Sequence, residues 1–122
     1  MSSPSFGRVI WAELLDPQGR NPKCRPAIII TPTDDITPDG EVRVVAISTR
    51  LDAAPPEVLV PLQYDPRGAC RTGLREPCVA VCNWIVHISL TTIRDYAGIV
   101  PGKTMYEIGE KIKRAEGVGP SA

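Results

Sequence analysis

The residues most able to do chemistry in this sequence are its arginines. Arg20, Lys23 and Arg25 crowd the stretch before a β-branched run, and Arg67, Arg71 and Arg75 recur at near-regular spacing within "QYDPRGACRTGLREP", residues 63–77. Arg50 follows another apolar run. A guanidinium presents a planar fork of donors that matches a phosphate. If the strand ends converge, these loops would place a local positive patch on an otherwise neutral chain. Solvated loop charges are the competing reading, because exposed cations contribute little to stability and need no partner.

Other reactive side chains give weaker signals. Cys78 and Cys82 lie four apart on an apolar strand, on one face but some thirteen ångströms apart at about 3.3 Å per residue, too far to share a metal. They read as buried structural thiols. Cys24 sits among cations and reads as incidental. His87 is the single histidine. In an apolar strand it reads as a hydrogen-bonded structural residue, with acid–base work the less favoured role. No phosphate-binding glycine loop, zinc-binding cysteine pair or Ser-His-Asp pattern stands out.

These side chains need a scaffold, and the chain's punctuation suggests one. Thirteen prolines and ten glycines in 122 residues cut it into short pieces, which favours a β-rich fold. Residues 8–14 ("RVIWAEL"), 27–31 ("AIIIT"), 42–48 ("VRVVAIS"), 58–62 ("VLVPL") and 78–88 ("CVAVCNWIVHI") read as strands. "DPQGRNPK" is a loop, and Asp39-Gly40 marks a hairpin tip. Ser89 is placed to cap a short helix to about Tyr96. A second helix spans roughly residues 102–115, with Met105, Ile108 and Ile112 on one stripe. The expected architecture is mainly β: a small bent sheet or barrel with helices outside, in a single domain over 1–122 with its core at about 7–115 and a flexible tail at 116–122.

Global properties set limits. The formal net charge is zero, which weighs against a non-specific nucleic-acid coat protein but not against a local basic site. The opening "MSSPSFGR" is polar and no run is long enough to span a membrane, so a cytoplasmic location without disulfides is expected.

Taken in order, "GRVIWAELLDPQG", "RPAIIITP", "VVAISTR", "TGLREPCVAVCNWIVHI" and "VPGKTMYEIGEKI" resemble the MazF/PemK family of toxin endoribonucleases, from Gly7 to about Ile112. The resemblance implies an SH3-like barrel with a C-terminal helix and a homodimer that lays single-stranded RNA across its dimer face. It implies mRNA cleavage without a metal or other cofactor, by attack of the ribose 2′-oxygen on the neighbouring phosphate. It also implies a cognate antitoxin peptide that blocks the site. Arg25 falls on the family's "R-P" arginine, for phosphate stabilisation, and Ser48, with Thr49 next to it, falls on the family's strand-end hydroxyl. RNA contacts are assigned to Lys23, Arg50, Arg67, Arg71, Thr72, Arg75 and Asn83.

The long strand departs from the family pattern. Where many members read D/E-Q-I/P-R-T-I-D, this chain has Asn83 to Ser89, so Asn83 replaces the acid that serves as base in the PemK branch. Val81 stands where that branch uses an arginine. Glu76 and His87 are the candidates for a replacement base, and Trp84, in place of a polar residue, is either a core residue or the mark of an altered groove. Two readings follow: an active, sequence-selective mRNA interferase, or a catalytically degenerate dimeric module that binds a peptide or nucleic acid without cutting. A gyrase poison on the same barrel ranks last, because the "R-P" opening belongs to the ribonuclease branch.

Overall fold

The computed structural model describes residues 3–117. Six strands form one antiparallel sheet: β1 (Arg8–Leu14), β2 (Lys23–Ile29), β3 (Glu41–Ser48), β4 (Leu59–Pro61), β5 (Val79–Ser89) and β6 (Ile93–Ile99). The hydrogen-bonded order is β4-β5-β3-β2-β1-β6, so β4 and β6 are the edges and the sheet is not closed by a ladder between them. Helix α1 (Gly102–Gly117) follows the last strand. The expectation of a mainly β, SH3-like barrel with a C-terminal helix is met by this curled, open form.

Both faces of the sheet are buried. On one face, Val9, Ile28, Val45, Ala80 and Cys82 meet Met105, Ile108 and Ile112 of α1. Ile108 is fully buried, worth roughly 1.5–3 kcal/mol of transfer free energy for such a side chain. On the other face, Ile10, Ala12, Leu14, Ala27, Ile29, Val44 and Val81 form a second core with Trp84, which Leu59 of one edge strand and Ile93 of the other both join. This two-sided burial explains the near-continuous apolar runs of β2, β3 and β5.

β5 carries the irregularity that shapes the site. Its ladder with β3 pairs Val45 with Ile85 and next pairs Ile47 with Ala80. Between those pairs β3 has Ala46 alone, while β5 has Val81, Cys82, Asn83 and Trp84. The strand must bulge there, and a bulge shifts the alternation of side chains. Ala80 and Cys82 face the helix, yet Trp84, on the same parity, lies in the opposite core.

Several element boundaries differ from expectation. The helix expected from Ser89 to Tyr96 is one 3-10 turn over Leu90–Thr92 followed by β6. The Ser89 cap is real, its hydroxyl accepting from the Thr91 N–H at 3.3 Å, but Ile93 onward finds its partners on β1. The second strand also starts earlier than expected: Lys23, Cys24 and Arg25 lie within β2, and Arg25 stands opposite Ala12. At the C-terminus, α1 continues through Gly117, so residues 116 and 117 of the expected tail are helical, while 118–122 lie outside the described residues. Among the described residues, no helix is long and apolar enough to cross a membrane.

Candidate active site

Arg25 projects from β2 into a cleft of about 500 Å³ walled by Asp16, Pro17 and Gln18 of the β1–β2 loop, by Ser48 and Arg50 at the end of β3, by Ala53–Pro55, and by Val81, Asn83 and Trp84 of β5. Its guanidinium is held on several sides. Nε donates to the Leu14 carbonyl at 3.4 Å and Nη2 donates to the Asn21 carbonyl at 3.2 Å. The guanidinium carbon lies 5.2 Å from the centroid of the Trp84 ring, in cation–π range. A guanidinium has five N–H groups. With two engaged by backbone, three stay available to an anion in the cleft.

The loop that receives Arg25 is organised by Asp16. Its Oδ1 accepts from the backbone N–H of Gln18 at 3.0 Å and of Arg20 at 2.8 Å, and its Oδ2 accepts from Asn21 Nδ2 at 2.8 Å. Asn21 takes a left-handed conformation, φ 53°, which aspartate and asparagine tolerate better than most residues. These bonds, led by the Arg20 N–H, hold the Asp16 carboxyl below the ordinary carboxylate range. The carboxylate stays charged and organises the loop, and Arg25 and Arg50 bring the opposite charge to the cleft.

The hydroxyl of Ser48 accepts from the Arg50 N–H at 3.0 Å, which fixes its oxygen and leaves its proton to give. Asn83, exposed on the bulge, adds an amide. Beyond the cleft, Lys111 of α1 donates to the Leu59 carbonyl at 2.7 Å and lies 3.5 Å from the Pro56 carbonyl, tying the helix to the segment that follows Ala53–Pro55.

The other expected site residues fall elsewhere. Thr49 is the neighbour of Ser48 and so points away from it. It lines a second cleft of about 430 Å³ with Trp11, Pro26, Arg75, Glu76 and Asp95. Lys23 is exposed on β2 but does not line the Arg25 cleft. Arg67 and Arg71 are exposed in the 63–77 loop, which is pinned to β6: Ile99 N–H donates to the Arg71 carbonyl at 2.7 Å and Gly98 N–H to the Thr72 carbonyl at 3.0 Å. A Cβ at Gly98 would collide with the Arg71 carbonyl, so this approach requires glycine.

Thr72 is corrected most firmly. It is fully buried, its hydroxyl donating to the Gln63 carbonyl at 2.7 Å and accepting from the Leu74 N–H at 3.2 Å. Its side chain organises the loop and cannot reach RNA. Neither candidate base enters the cleft: Glu76 borders the second one, and His87 is exposed opposite Arg43, beyond the bulge. Trp84 is a core residue, 9% exposed, whose ring also borders the cleft. Sequence reasoning missed Asp16 and Gln18, although the Asp-Pro-Gln-Gly signal of a side-chain-capped turn was visible. Among the described residues, no three His, Cys, Asp or Glu side chains are placed to hold a metal ion.

This arrangement of an oriented guanidinium and a strand-end hydroxyl on a curled sheet can be compared with known proteins. The sequence profile of the PemK-like, MazF-like toxins of type II toxin–antitoxin systems matches residues 5–115. The chain belongs to that family. It is 27% identical over 114 residues to the endoribonuclease MazF6 of Mycobacterium tuberculosis, covering 90% of this chain and 94% of the relative. Its fold is that of MazF from Deinococcus radiodurans, with a TM-score of 0.74 at 17% identity, covering 96% of this chain and 99% of that one. A mycobacterial endoribonuclease in complex with its cognate antitoxin superposes with a TM-score of 0.72 at 19% identity, covering 95% of this chain and 97% of that one.

Proposed function

We propose that this chain is the toxin of a type II toxin–antitoxin pair and an endoribonuclease that cuts single-stranded mRNA at selected sequences in the Arg25 cleft. The observation that carries the reading is the convergence of the oriented Arg25 fork and the Ser48 hydroxyl in a cleft large enough for a nucleotide. The nucleophile belongs to the substrate. The ribose 2′-oxygen forms a bond to phosphorus and the bond from phosphorus to the 5′-oxygen breaks, leaving a cyclic phosphate and a 5′-hydroxyl. The proton of the 2′-hydroxyl leaves to solvent and the departing oxygen takes one from solvent.

What the chain supplies is charge stabilisation. The free N–H groups of Arg25 face the oxygens on which charge gathers in the pentavalent state, and the Ser48 hydroxyl donates to one of them. Arginine keeps its proton in this role. Arg50 draws the backbone phosphates and Asn83 offers an amide to a base or phosphate. No metal takes part. The chain works as a homodimer in the cytoplasm, with RNA across the dimer face, until an extended antitoxin segment covers the cleft. The mycobacterial endoribonuclease solved with its cognate antitoxin supports pairing with an antitoxin.

The test is cleavage of a long unstructured RNA in EDTA, comparing wild type with Arg25→Ala. Cuts that end in cyclic phosphate and vanish in the variant are expected. Intact RNA from a folded wild-type dimer would overturn the reading in favour of a non-cleaving binding module.

A further inference from the structure

We propose that Trp84 is a positioning residue for Arg25: its ring is the platform on which the guanidinium is stacked, not a surface for a substrate base. The inference rests on the endoribonuclease reading for its catalytic consequence but not for its geometry. Three observations carry it. The Arg25 guanidinium lies over the Trp84 ring at 5.2 Å. The indole Nε1 donates to the Leu15 carbonyl at 3.2 Å, one residue after the Leu14 carbonyl that accepts from Arg25 Nε. Trp84 is 9% exposed, so with a cation on its face little ring is left for a nucleobase.

The single side chain therefore holds both the fork and the start of the loop whose Asn21 carbonyl completes the hold. It reaches the cleft only because β5 bulges between Ala80 and Ile85; with unbroken alternation from Cys82, position 84 would face α1. Asn83, on the same bulge, cannot take a proton, so catalysis in this cleft depends on how well charge is stabilised. A stacked, three-sided arginine meets that demand, since donors fixed beforehand need no reorganisation when charge develops.

The experiment compares Trp84→Phe, which keeps a π face, with Trp84→Leu, which does not; Trp84→Met repeats the second arm if the leucine variant fails to fold. The first readout is the side-chain Nε–Hε NMR resonance of Arg25, assigned by its loss in Arg25→Lys. Wild type and Trp84→Phe are expected to show a ring-shifted, slowly exchanging signal, and Trp84→Leu one at the position of a free arginine. The second readout is steady-state cleavage: kcat in Trp84→Leu is expected to fall roughly 100-fold, as for displaced catalytic groups, with KM within about 3-fold, and Trp84→Phe should recover most of the loss. An Arg25 signal unchanged in folded Trp84→Leu overturns the proposal, as does a rise in KM at constant kcat, the signature of a lost base contact. Absence of cleavage by wild type would remove the endoribonuclease reading while the resonance still decides the role of Trp84.

Discussion

The two clefts on either side of β2 and β3 are built from adjacent residues and differ in kind. Arg25 and Ser48 face one cleft; Pro26 and Thr49, their immediate neighbours, face the other. The first holds a guanidinium tied by two backbone carbonyls and a tryptophan ring. The second sets Arg75 beside Glu76 and Asp95 with Trp11 exposed, so its charges are mixed. Strand alternation thus sorts a run of plausible residues into a cleft with an oriented guanidinium and a surface whose charged groups are not so held. The lesson is that candidate site residues are grouped by the face they share more than by nearness in sequence.

The sharpest way to break this comparison is at Arg25. Arg25→Ala is expected to lower single-turnover RNA cleavage at least about 1000-fold, the upper range for loss of one preorganised donor, and more so for a charged one. Arg75→Ala in the second cleft should leave the rate within about 3-fold, since an exposed cation in a mixed patch supplies only weak attraction. Equal losses would show that the two clefts act as one.

The next test separates neighbours. Ser48→Ala removes the hydroxyl that shares the Arg25 cleft and should cost roughly 10- to 100-fold in kcat. Thr49→Ala, one residue on, should cost less than about 3-fold by the alternation of strand side chains. The reverse order would mean that the strand end turns over when RNA binds, and would move the active site to the second cleft.

A third prediction concerns folding. Thr72→Val keeps the shape of the buried side chain but strips the Gln63 carbonyl and the Leu74 N–H of their partner. The expected cost is about 1–3 kcal/mol, read in denaturant melts. RNA affinity of the folded variant at low temperature should match wild type. A selective loss of affinity without destabilisation would restore Thr72 as an RNA contact.

These contrasts show which parts of the molecule were readable beforehand. β1 at Arg8–Leu14 and the apolar stripe of α1 were legible because periodicity reports burial directly. Arg25 and Ser48 were legible through family resemblance. β6 was not: Ser89 is a genuine cap, and only pairing with β1 decides that Ile93 extends. Nor was the partition of the arginines, because Gly98 and the 71–73 backbone fix that loop through a contact made between distant segments. The β5 bulge escaped for a deeper reason. A local sequence of apolar residues fits either parity, and the choice is imposed by what lies across the ladder.

The smallest predicted effect follows from the same bulge and compares the two faces of the sheet. Cys78 and Cys82 are buried on the helix face, and burial pushes both thiols up to about 11 from 9.0, with the Glu76 charge assisting at Cys78. A raised folded value means that the unfolded chain releases these protons first. Stability from this source is therefore whole below pH 9.0 and is lost as the pH climbs from 9.0 towards about 11. Other groups titrate in that window, so the informative quantity is the difference from Cys82→Ala, whose denaturation midpoint should decline less steeply with pH than wild type. Cys70 provides the internal contrast. Burial alone would raise it, but hydrogen bonds within the 70–73 turn outweigh burial and lower it. A thiol reagent at neutral pH should accordingly label Cys70 and the exposed Cys24 in the native protein and reach Cys78 and Cys82 only on unfolding. Rapid native labelling of Cys82 would show that α1 lifts from the sheet, and with it the Lys111 tie that steadies the wall of the Arg25 cleft.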